Sequence, residues 1–191
     1  MAANDDAPLV VLLWGDDTER IEAAVARARV DVLGASSGLE AFNHESFDAP
    51  YTEGFGPVLA ACQQLPMMAS RRLVELSGPE SFGKHVKDAP PADKCVDALL
   101  DYVQAPSPTT LLLISSGGLR STSRLVKAVT KSPHGRAERF KAPGNDREAA
   151  AWVHAHARAQ GIRMGSGAAD ELVRRVGYAT TSLRSGIERA R

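Results

Sequence analysis

The chain has 191 residues, 43% of them apolar, and equal numbers of basic and acidic side chains, 23 of each. No apolar run approaches the roughly 18–20 residues of a membrane span, and the opening MAANDDAPLV lacks the basic start and apolar core of a signal peptide. Cys62 and Cys95 lie far apart with no CxxC, which points away from a zinc ribbon or a disulfide framework. A cytoplasmic globular protein with no membrane partner is expected.

The balance of charge hides an asymmetry. Residues 1–60 carry three basic and eleven acidic side chains, whereas residues 121–191 carry fourteen basic and six acidic. A basic C-terminal third is suited to lie near nucleic acid phosphates. The alternative is an ordinary solvated surface.

In chain order, LVVLLWG (residues 9–15) is a short continuous apolar run closed by glycine, the pattern of a strand buried on both faces. Asp16 reads as an N-cap, with Glu19 completing a capping box. The helix IEAAVARARV follows, with Ile21, Val25 and Ala28 on one stripe. LEAFNHESFD (39–48) reads as a weaker strand, GPVLAACQQL (56–65) as a helix, and RRLVELSG (71–78) as a strand. DKCVDALLDYVQ (93–104) has Val96, Leu99, Leu100 and Val103 on one helical face. TTLLLISSGG (109–118) is the clearest strand; STSRLVKAVTKS (121–132) reads as a basic helix and AERFKAP (137–143) as a final strand. Strands alternating with helices predict a mainly parallel α/β sheet.

After Pro143-Gly144 the pattern becomes purely helical. Asn145 or Asp146 caps REAAAWVHAHARAQG, Gly161 suits its C-terminus, and SGAADELVRRVG and TTSLRSGIERAR are two further helices. Two domains are expected, an α/β domain over residues 1–143 and a helical one over 144–191.

The turn after the first strand is where a phosphate-binding loop would sit. Such a loop needs G-x-x-x-x-G-K-[ST], so that backbone N–H groups cradle phosphate and a lysine reaches it. Here the turn reads Gly15-Asp16-Asp17-Thr18-Glu19-Arg20, with no lysine and three carboxylates that would repel a triphosphate. No nucleotide or metal cofactor is expected. Residues 34–38, GASSG, match the G-x-S-x-G of hydrolases, but the motif follows a helix and precedes a weak strand, so a loop is expected instead. His154 and His156 project about 200° apart on a helix and cannot share a metal.

Several stretches taken together resemble the delta subunit of bacterial DNA polymerase III, a clamp-loader component with an ATPase-like (AAA+) fold. LVVLLWGDDTERIEAAV is similar to that family's opening strand and first helix. ACQQLPMMASRRLVEL is similar to its helix–loop–strand, in which a small hydrophobic pair precedes Arg-Arg-Leu-Val. TTLLLISSGGLRSTSRLVKAV resembles its fourth strand and following helix. FKAPGNDREAAAWVHAHARAQGIRM and RVGYATTSLRSGIE resemble its helical lid.

The resemblance implies an AAA+-like parallel sheet flanked by helices, followed by a small all-helical lid. It implies a clamp-loader subunit that binds and helps open the sliding clamp (the beta subunit) during DNA replication, without ATPase activity of its own. Any polymerase activity would belong to the holoenzyme. By position, Gln63 matches the family's glutamine and Met67-Met68 its apolar pair, with Leu65 as a further apolar contact. Pro66 stands where a small polar residue is common, and Met68 where an aromatic is usual. The alternative for the methionines is a place in the core under the helix. Ser123-Arg124-Leu125 is superficially similar to the arginine finger of active loader subunits, but it opens a helix and that role is not transferred. The family carries a further collar domain that joins the other loader subunits; the chain ends in what resembles the lid, so a fragment or a short relative is expected. A divergent nucleotide-binding ATPase and an unrelated α/β interaction domain are the alternative functions.

Overall fold

The computed structural model describes residues 7–34, 38 and 40–189. The chain divides into two compact units, residues 1–140 and 141–191, just ahead of the Pro143-Gly144 break in the sequence.

The first unit is built on five strands: β1 (Val10–Gly15), β2 (His44–Asp48), β3 (Arg72–Ser77), β4 (Thr110–Ser116) and β5 (Gly135–Phe140). They form one sheet in the order β2-β3-β4-β1-β5, and every pairing is parallel. The apolar run LLLIS forms the middle of the sheet: β4 pairs with β1 on one side and β3 on the other. Parallel strands buried on both faces need continuous apolar sequence, which is why this run was the easiest to read.

Successive side chains alternate between the two faces. Val10, Leu12, Val74, Leu76, Leu112 and Ile114 pack against α3 (Phe55–Gln63), α4 (Ala92–Gln104) and α5 (Arg124–Lys131). Leu13, Leu73, Leu111 and Leu113 point the other way and meet Ile21, with Val25 and Ala28 partly buried beside it, all on α1 (Thr18–Leu33). The stripe expected on α1 is the one that packs. On α4, Leu99 and Val103 are buried, with Cys95 and Tyr102 beside them.

Two local expectations are corrected. Residues 39–48 are not one strand: α2 (Glu40–Asn43) is a single helical turn, and only His44–Asp48 joins the sheet. The cap of α1 is Asp17, not Asp16; its carboxylate accepts the Arg20 N–H at 3.2 Å, so Glu19 does not sit at the third helical position of a capping box. Smaller shifts affect α5, which starts at Arg124, and β5, which starts at Gly135 and stops at Phe140. Residues 35–37 of the G-x-S-x-G match lie outside the described residues.

The second unit comprises α6 (Asp146–Ala159), α7 (Ala168–Val176) and α8 (Thr180–Arg189), with no strand among the described residues. Asn145 caps α6, its Oδ1 accepting the Glu148 N–H at 2.9 Å. Ala149, Val153 and Ala157, spaced one turn apart, meet Ala169, Val173, Leu183 and Ile187 in a small closed core.

Candidate functional site

In a parallel sheet all strands enter at one edge and leave at the other, so the first unit has two distinct ends. The predicted binding residues lie at the entry edge, between α3 and β3. Helix α3 is anchored there from beneath: Thr110 Oγ1 donates to the Cys62 carbonyl at 2.8 Å, so a buried helix-end acceptor is satisfied. Cys62 has no exposed surface, and burial pushes its thiol up to about 12. The Tyr102 phenol is raised as well, first by burial and then by its neighbour Cys62.

Beyond Cys62 the chain turns outward. Gln63 is exposed at the end of α3. Leu65 is 80% exposed, Met67 50% and Met68 87%. Gln63 closes the helix, the three apolar residues sit on the outward loop that follows, and the methionines do not pack under the helix. The backbone of this loop is nonetheless fixed. Asn43 Nδ2 donates to the Met67 carbonyl at 2.9 Å, and Asn43 Oδ1 accepts the Met67 N–H at 2.7 Å. Met68 has φ +51°, the left-handed region that disfavours a residue with a side chain. The loop ends at Arg72, a buried cation whose Nη1 donates to the Phe42 carbonyl at 2.6 Å and whose Nη2 pairs with Glu45.

Sequence reasoning missed Phe42 and Asn43. Phe42 is 55% exposed and Asn43 2%. The stretch 39–48 reads as a weaker strand through both, and nothing local signals that Asn43 reaches a backbone 24 positions on.

At the exit edge lies the turn that would hold phosphate. The N–H groups of Asp16 and Asp17 both donate to the Phe140 carbonyl, at 3.1 and 3.2 Å. Those are backbone donors of the kind a phosphate loop aims at its ligand. Gly15 has φ +142°, and a Cβ there would lie 2.0 Å from the Phe140 oxygen, so the turn and β5 touch backbone to backbone. The Asp17 carboxylate, wholly buried, caps α1. At the end of β4, Ser116 Oγ donates to Glu80 at 2.9 Å and accepts the N–H groups of Gly118 and Leu119 at 3.1 Å each. Asp16 and Glu80 are exposed at this end of the sheet, where the Arg20 and Arg139 guanidiniums also lie, over the Phe140 and Trp14 rings.

The remaining candidates are structural. His156 stacks on Trp152 with ring centroids 4.7 Å apart, while His154 is exposed. Arg124, in the Ser-Arg-Leu match, pairs with Asp97 at 2.7 Å. Among the described residues there is no group of three or more His, Cys, Asp or Glu side chains placed to hold a metal ion, and no helix long and apolar enough to cross a membrane. Part of the basic C-terminal third is neutralised locally: Arg174 and Arg175 both pair with Glu171, and Arg184 with Glu188.

The family model described as "DNA polymerase III, delta subunit" matches residues 11–136, from β1 into β5. The chain belongs to the DNA polymerase III delta subunit family. Among solved structures it is similar to the Bacillus subtilis DNA clamp loader delta protein (YqeN), with 26% identity and a TM-score of 0.69 over 96% of this chain and 52% of that one. It thus spans about half the length of that relative. A DNA polymerase III gamma subunit-related protein from Thermotoga maritima shares the fold, with 10% identity and a TM-score of 0.55 over 97% of this chain and 54% of that one. A comparison with curated proteins gives no match. The five-stranded parallel sheet followed by helices is the AAA+-like arrangement that a clamp-loader subunit of this family carries.

Proposed function

We propose that this chain is the clamp-binding part of a clamp-loader delta subunit, with Leu65, Met67 and Met68 entering a pocket on the sliding clamp and Gln63 hydrogen bonding at its rim. The observation that carries the proposal is the outward placement of three apolar side chains on a backbone-fixed loop, in a chain of the delta family. Methionine suits such a pocket because its unbranched, polarisable side chain adapts to irregular apolar walls. The glutamine supplies both a donor and acceptors.

In this reading the chain helps to open the ring and draws no energy from ATP of its own. Support comes from the exit-edge turn, whose N–H groups at Asp16 and Asp17 are engaged by Phe140 and whose sequence has no phosphate-loop lysine. Residues 1–143 act as the clamp-binding body and residues 144–191 as the lid. In a full-length form carrying the family's collar domain, the other loader subunits join through that collar, and DNA passes near the basic C-terminal third. The setting is the cytoplasm, at the replication fork.

The test is a clamp titration and a thermal melt on Met67→Ala/Met68→Ala. Burying each such side chain contributes roughly 1.5–3 kcal/mol, and a few anchors dominate an interface. Clamp binding should weaken by about 2–5 kcal/mol, with stability changed by less than about 0.5 kcal/mol, as for other exposed positions. A large fall in melting temperature with clamp binding intact would sink the proposal. Calorimetry with ATP and magnesium separates the ATPase alternative: micromolar binding lost on altering residues 15–18 would favour it.

A further inference from the structure

Asn43 is a small polar side chain almost sealed from solvent, at 2% exposure. Its carboxamide meets the Met67 backbone on both sides of the Cα, donating to the carbonyl at 2.9 Å and accepting from the N–H at 2.7 Å. Two bonds from one planar group hold the two successive peptide units that flank the Met67 Cα, as a neighbouring strand would. The next residue, Met68, holds a left-handed conformation, φ +51°, which persists only where the surroundings over-determine it. Asn43 is itself held, because the carbonyl just before it, of Phe42, receives the guanidinium of the buried Arg72.

The result is an unusual division within one dipeptide. The backbone at Met67 is tied to a buried side chain, while the Met67 and Met68 side chains are 50% and 87% exposed. Packing stability alone does not call for this, since neither side chain fills the core. A surface that must meet a partner gains from it, because the cost of ordering the loop is met before the encounter. We infer that Asn43 is a positioning residue that presents Met67 and Met68 in their binding-competent arrangement, acting through the Met67 peptide without touching the partner. The inference rests on the clamp-binding reading of the loop.

Amide exchange and binding kinetics on the intact chain test it. In the unsubstituted protein, the Met67 amide should exchange at least about tenfold more slowly than the neighbouring Met68 amide, by the strength of one buried hydrogen bond. Equal rates would overturn the inference without any variant. In Asn43→Ala the Met67 protection should vanish, while the Leu112 and Ile114 amides of β4 keep theirs. Clamp affinity should fall by roughly tenfold. The loss should appear mainly in association, since the loop must then be caught in a minor conformation. Met68→Ala, which removes a contact, should act mainly on dissociation. If the unsubstituted chain fails to bind the clamp, the parent reading falls and the inference with it. If it binds, and Asn43→Ala associates at the same rate, the inference alone falls.

Discussion

The two edges of the sheet carry opposite solutions to the same problem. At the exit edge, the turn after β1 closes on the protein itself: Phe140 takes two N–H groups, Asp17 turns inward to cap α1, and Ser116 joins Glu80 to the chain after β4. At the entry edge, the loop after α3 is equally well fixed through Asn43 and Arg72, yet its apolar side chains face solvent. One edge has satisfied its polar groups internally. The other leaves apolar surface unsatisfied, and apolar surface on a fixed loop is what a partner can bury. A fold associated with nucleotide binding at one edge can thus serve association at the other.

The comparison breaks most readily at Gly15. Gly15→Ala places a methyl 2.0 Å from the Phe140 oxygen at φ +142°, combining a clash with backbone strain. A loss of roughly 2–5 kcal/mol is expected, read from denaturant unfolding. A variant as stable as the parent would show that the exit edge is not closed.

The floor of the entry edge should respond to alkali. The Cys62 thiol is pushed from 9.0 up to about 12 in the folded chain. The unfolded chain therefore loses this proton first as pH rises. Stability from this group is complete below pH 9 and declines between 9 and about 12, by about 1.4 kcal/mol per pH unit at most. Tyr102, raised in the same direction, adds to the decline. Urea unfolding of Cys62→Ala across pH 8–11 should show a shallower alkaline limb than the parent.

Asp17→Ala probes the exit edge more gently. It removes the cap on the Arg20 N–H and should cost about 1 kcal/mol, whereas Asp16→Ala should cost distinctly less if Asp17 is the cap. The smallest effect on stability belongs to the entry edge. Met68→Gly relieves the left-handed strain at φ +51° and should leave the melting temperature unchanged or raise stability by up to about 1 kcal/mol, while clamp binding falls. A stabilised chain with weakened binding would be the sharpest contrast between the two edges.

The elements that were legible in the sequence are those whose burial is continuous or strictly periodic. The run LLLIS in β4 is apolar because both faces of a central parallel strand are covered, and the Leu99/Val103 stripe follows the helical period. Choosing between Asp16 and Asp17 was beyond such patterns: two adjacent carboxylates look alike, and the register is set by Phe140, distant in sequence. The segment 39–48 misled for a similar reason. Its second half does form a strand, but α2 forms where Asn43 turns inward to Met67 and the Phe42 carbonyl meets Arg72. Gln63, Leu65, Met67 and Met68 are candidates by resemblance alone, and their exposure follows from no periodicity. The clamping by Asn43 left no local trace at all.

One last feature concerns the two thiols. The two cysteines of this sequence, Cys62 and Cys95, are both free and both buried. A thiol sealed from solvent is inert to a reagent that cannot reach it, so the native chain should be silent to maleimide dyes. Ser70 is exposed on the same outward loop, and Ser70→Cys changes a single atom. The substituted chain would then carry one addressable position beside the methionines. A fluorophore placed there would report the arrival and departure of a partner in real time, with no background from the rest of the molecule.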